Sequence, residues 1–121
     1  MSLPLAGLKV LAFEQYGAGP FGSQYLSDLG AEVIKIEPAG TDGDYLRALG
    51  PYFIDEERNS ASSIFFQALN RNKKSITLNI LSGEGKEILG KLVKESDAVC
   101  NNLRGDVCLL YTSPSPRDGL L

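Results

Sequence analysis

The sequence predicts an α/β protein: a Rossmann-like, open, mostly parallel sheet with flanking helices. Short apolar runs of strand length alternate with longer stretches of helical period, strand first, through most of the chain. The first strand, helix and second strand fit within about 30 residues, the size of one βαβ crossover, which is right-handed in a parallel sheet. A chain of 121 residues, 43% of them apolar, can bury one such core and is too short for two domains.

Each element has a local reason. Residues 8–13 (LKVLAF) form a nearly unbroken apolar run, as in a strand covered on both faces. In residues 20–29, Phe21, Tyr25, Leu26 and Leu29 recur at spacings of three and four, which places them on one stripe of a helix. Pro20 suits its first position and Gly30 its left-handed stop. Residues 31–36 (AEVIKI) read as the second strand. Residues 37–59, rich in Gly, Pro and Asp, read as a long irregular connection, a kind that is usually functional or mobile. A short helix over 60–69 carries Ile64, Phe65, Phe66 and Leu69 inward. Residues 74–80 (KSITLNI) alternate as a third strand. Ser82 caps a helix over 83–95 with the stripe Ile88, Leu89, Leu92 and Val93, and Gly85 stands where a capping-box glutamate would. Residues 98–101 form a fourth strand.

Composition excludes several classes of function. Histidine is absent, which removes His-based metal sites and Ser-His or Cys-His nucleophile pairs from this chain, and no metal site is expected. Two cysteines, Cys100 and Cys108, suit a reducing cytoplasm better than a disulfide framework. The net charge of -3 argues against a nucleic-acid partner. No apolar run is long enough to span a membrane, and the first eleven residues lack the pattern of a signal peptide.

Two motifs point to an anionic ligand. Residues 17–22 (GAGPFG) satisfy G-x-G-x-x-G between a strand and a helix, and Glu37 stands twenty residues after Gly17, where an acid would hold a ribose. Glu14, Gln15 and Tyr16 separate the strand from the first glycine, however, and Pro20 removes an N–H from the turn. The glycines therefore fit a tight turn as well as a dinucleotide site. Residues 70–74 (NRNKK) concentrate three positive charges in an acidic chain, as a phosphate site or a solvated loop would. Residues 101–105 (NNLRG) add two amides and a cation after the fourth strand. The ends of parallel strands gather at one edge of the sheet, where ligands bind. The 70–74 cluster precedes its strand and joins that edge only if its loop folds back.

Taken together, residues 4–11 (PLAGLKVL), 18–21 (AGPF), 29–38 (LGAEVIKIEP), 70–75 (NRNKKS) and 101–105 (NNLRG) resemble, in order and spacing, the start of class III coenzyme A transferases. That family includes formyl-CoA and carnitine-CoA transferases and is related to α-methylacyl-CoA racemases. The resemblance covers residues 4–107. It implies that residues 1–107 are the N-terminal part of the large domain and bind coenzyme A, as an acyl-CoA substrate, for its transfer between carboxylic acids. It places the Gly17, Ala18 and Gly19 turn against pantetheine and phosphates. Asn72, Lys73 and Lys74 fall near the adenosine-phosphate end, and Asn102 and Leu103 beside the pantetheine channel. Gln15, Gly17 and Pro38 stand where formyl-CoA transferase has histidine, glutamine and arginine, which leaves the acid specificity open. The family's catalytic aspartate falls downstream of residue 107, so no catalytic nucleophile is expected here. Asp42, Asp44 and Glu14 read as solvated acids. The resemblance also implies an interlaced homodimer, and hence a chain that is inactive and poorly folded by itself.

Residues 108–121 break the pattern. The eleven residues 108–118 (CLLYTSPSPRD) can be back-translated into a transposon end plus sequencing adapter, so this tail reads as adapter-derived and non-native; a natural Ser/Pro-rich tail is the alternative. Other readings of the whole chain are a NAD- or FAD-binding oxidoreductase domain resting on the glycine fingerprint, a racemase-type enzyme, and a small regulatory nucleotide-binding module.

Overall fold

The computed structural model describes residues 1–55 and 63–104. In chain order these form β1 (Lys9–Phe13), α1 (Ala18–Asp28), β2 (Glu32–Pro38), a 3-10 turn (Tyr45–Ala48), α2 (Ile64–Asn70), β3 (Lys74–Leu78), α3 (Gly83–Lys94) and β4 (Ala98–Asn101). The four strands make one parallel sheet in the order β3-β2-β1-β4. Val10 sits opposite Val33 on one side and Ala98 on the other, and Ile36 opposite Ile76. The connection from β1 goes one way through α1 to β2, and β4 returns to the other side of β1. The sheet therefore reverses its winding direction between β1 and β4, where doubly wound folds place their ligands.

Alternation along the strands divides the core in two. Val10, Ala12, Ala31 and Val33 face α1, with Leu26 and Cys100 packed against them. Leu11, Phe13 and Ile36 face α3, where Leu89, Leu92, Ile76 and Leu78 complete the layer. Central β1 is buried from Val10 to Phe13, as its unbroken apolar run requires. No helix among the described residues is long and apolar enough to cross a membrane.

Several expectations are corrected. The stripe of α1 is turned outward: Phe21 is 53% and Tyr25 57% exposed, Leu29 is exposed too, and only Leu26 packs inward. The buried stripe is Pro20, Ser23, Gln24 and Ser27, which has the same helical spacing. The reason is the surface beneath it, where charged and amide groups call for small polar partners; Ser23 donates to Glu14 (2.7 Å) and Ser27 to the Arg71 carbonyl (3.2 Å). Ile64, Phe65, Ile88 and Val93 are likewise exposed, while Phe66 and Leu89 are buried. Pro20 occupies the third helical position rather than the first, still within the turn whose N–H groups have no helical acceptor. Gly30 ends the turn after α1 at φ 102°. β3 stops at Leu78 rather than at 80. The connection after β2 contains the 3-10 turn, capped by Asp44, whose carboxylate accepts from the Leu46 amide. Residues 60–62 of the expected second helix lie outside the described residues, as does the tail from 108; the helix that is seen begins after Ser63, whose hydroxyl caps it.

Candidate functional site

The carboxyl ends of β1, β2 and β3 open into a cleft of about 220 Å³. Its walls are mainly apolar (Phe13, Ile36, Pro38, Leu78, Ile80, Leu81 and Leu103), with Glu14, Gln15 and Glu37 at the strand ends. Beside it the chain leaves β1 through Gln15 and Tyr16 into the turn that starts α1. Tyr16 takes φ 64°, a left-handed conformation uncommon for a bulky residue, and its ring stacks on that of Tyr45 (centroids 5.6 Å apart). Gly19 is needed here for its size. A Cβ at this position would stand 2.7 Å from the Glu14 Cβ and 2.8 Å from the Asn102 side-chain carbon.

Asn102 locks this turn to the end of β4. Its Oδ1 accepts from the Gln15 amide (3.0 Å) and its Nδ2 donates to the Gln15 carbonyl (2.9 Å). Both polar atoms of the amide thus serve the protein's own backbone. Leu103 follows into the cleft wall. Gly17, Ala18, Gly19, Asn102 and Leu103 therefore come together at the carboxyl edge, as the parallel topology anticipates.

The basic cluster divides. Lys74 lies exposed at the amino end of β3 and pairs with Glu32 (3.1 Å), while Asn72 and Arg71 both bond Asp28 at the end of α1. The Arg71 hydrogen bond holds the Asp28 carboxyl below its usual range. These groups sit at the opposite edge from the cleft, separated by the length of α1, about 16 Å for its 11 residues. Lys73 alone reaches back. Its ammonium, with the side chain 2% exposed, donates to Glu14 Oε1 (2.8 Å), the Pro20 carbonyl (2.9 Å) and Asn70 Oδ1 (3.2 Å). Burial lowers its pKa, and the bond to Glu14 partly offsets that.

Asn70 Oδ1 also accepts from Lys35 (3.1 Å), a lysine on central β2 that is fully enclosed and paired with Asp44 (2.7 Å). Glu14 and Asp44, expected in solvent, are buried partners of these lysines; Asp42 remains exposed. Glu37 is buried too. It accepts from the Arg47 Nε (2.9 Å) and a second Arg47 nitrogen, from Ser75 and from the Asp44 amide (2.7 Å). Burial alone would raise its pKa, but the Arg47, Ser75 and Asp44 bonds outweigh it and bring the carboxyl to about 2. A carboxylate so fully engaged has no place left for a ribose hydroxyl, which removes the main support for a dinucleotide site. Sequence reasoning missed this network. Lys35, set between Ile34 and Ile36 in the strand over 31–36, was its visible signal, because a buried lysine demands a partner.

Comparison with known proteins supplies the family. The profile of CoA-transferase family III matches residues 5–109. Succinate–glutarate CoA-transferase of Agrobacterium fabrum is 38% identical over 110 residues, which is 89% of this chain and 27% of that protein. Human succinyl-CoA:glutarate CoA-transferase is 45% identical over 98 residues, 81% of this chain and 20% of that protein. A CAIB/BAIF family protein of Brucella suis has the same fold over 95% of this chain and 30% of its own, with TM-score 0.81 and 40% identity. The chain thus spans about a quarter of the length of the curated relatives it matches. The glycine turn is accordingly no mark of a nicotinamide enzyme, and this chain belongs to CoA-transferase family III.

Proposed function

We propose that the protein carrying this segment moves coenzyme A between carboxylic acids, and that residues 1–107 form part of the surface that receives the CoA thioester. The single observation that carries the reading is the apolar cleft at the carboxyl edge, flanked by the glycine turn, in a chain of this family. At Gly17 the backbone is open to close approach, Gly19 lets the turn close onto Glu14 and Asn102, and the N–H groups of Gly17, Ala18 and Gly19 at the helix start suit phosphate oxygens. Leu103 and its apolar neighbours suit the pantetheine arm. Asn102 acts by holding the turn in shape. Lys74 and Asn72 reach the same ligand only if its adenosine-phosphate end runs the length of α1, and Lys73 only by leaving Glu14. The catalytic carboxylate belongs to the part of the protein beyond residue 107, and the enzyme works as a cytoplasmic homodimer.

The test uses the complete protein. Purified enzyme is mixed with succinyl-CoA and a panel of mono- and dicarboxylic acids, and the CoA esters are separated chromatographically. Appearance of a new CoA ester with release of succinate is the expected result. Inversion at the α-carbon of a branched acyl-CoA with no exchange of acids would assign it to racemase chemistry instead. Binding of NAD with no CoA binding would refute the proposal.

A further inference from the structure

The position of Lys73 leads to a role unlike the phosphate contact that its sequence neighbourhood suggests. Its ammonium lies under the start of α1, enclosed by Glu14, Pro20 and Asn70. Glu14 in turn holds the Ser23 hydroxyl one turn further along α1 and packs against Gly19. One buried ion pair thereby joins three separate segments: the end of β1, the first turn of α1 and the approach to β3. We infer that Glu14 and Lys73 are positioning residues for the glycine turn, and that Lys73 acts on CoA through Pro20 and Glu14 without touching it. This rests on the proposed CoA site for its ligand, but the positioning itself does not.

The chemistry distinguishes the two roles by sign. If Lys73 met a phosphate, freeing it from Glu14 would strengthen CoA binding. As a buried brace it needs Glu14, so the isosteric Glu14→Gln weakens the grip on Pro20 and the turn. Each of Glu14→Gln and Lys73→Met in the complete protein is expected to weaken CoA binding about tenfold, by disrupting a buried, hydrogen-bonded pair. The salt dependence of CoA affinity in Lys73→Met should match that of the parent, because no ligand-facing cation is lost.

A second readout needs no ligand. Amide hydrogen exchange of residues 18–24 should accelerate in both variants, with α3 unchanged. Tighter CoA binding by Glu14→Gln, or a shallower salt dependence in Lys73→Met, would overturn the inference. So would unaltered exchange in residues 18–24. If Lys73→Met does not fold, Glu14→Gln, which keeps the shape and one acceptor oxygen while removing the negative charge, decides alone. A parent enzyme that ignores CoA would sink the proposed function, and the exchange measurement would still decide the brace.

Discussion

Glu37→Gln separates the charge of one buried carboxylate from its shape. In the parent, Glu37 is 3% exposed and accepts from Arg47, Ser75 and the Asp44 amide, so it stays ionised down to a pKa of about 2 against an ordinary 4.5. The interval between these values, at about 1.4 kcal/mol per decade of proton activity, corresponds to about 3 kcal/mol of stability. The sign follows from the direction. A carboxylate whose folded pKa is depressed contributes in full above 4.5, and its contribution fades as the pH falls from 4.5 toward 2. The glutamine variant keeps the volume and loses the pH-dependent part. Urea unfolding of both forms of the complete protein, followed by far-UV circular dichroism from about pH 7 to about pH 2, should show a gap of about 3 kcal/mol at neutral pH that closes with acid. A gap that stays constant across that range would refute the reasoning, because it would mean that Glu37 carries no proton-linked free energy.

Three further outcomes follow from the same geometry. Lys35→Met leaves Asp44 buried without its ammonium, and should cost about 3–5 kcal/mol in urea unfolding. At the start of α3, Gly85→Ala should destabilise by about 1–3 kcal/mol, because a Cβ there overlaps the Asn79 carbonyl oxygen; Gly83→Ala, which faces open space, should be nearly silent by thermal denaturation. Asn102→Ala removes both bonds to the Gln15 backbone and should cost about 1–3 kcal/mol, with weaker CoA binding by the complete protein seen in calorimetry.

The sheet was legible because its signals are local. The apolar run at 8–13 can only be covered on both faces, Ser82 before a helical stripe marks a start, and residues 98–101 match the observed β4 without adjustment. The family resemblance was legible too, because it rests on short blocks in fixed order. The candidate site was half legible: the glycine turn, Asn102 and Leu103 meet at the carboxyl edge where parallel strands end. Asn72 and Lys74 do not meet them, because a residue that precedes a parallel strand begins at the opposite edge.

Periodicity and strand direction alone set the element order and the parallel sheet, and with them the edge at which the strands end. Which side of α1 is buried, and that the Lys73 ammonium is enclosed against Glu14, emerge in three dimensions alone. Both depend on long-range electrostatics: Glu14 and Lys73 are 59 residues apart in the chain and 2.8 Å apart in space. A charge removed from water must find its opposite, and the helix that covers such pairs turns its serines inward and leaves Phe21 and Tyr25 outside.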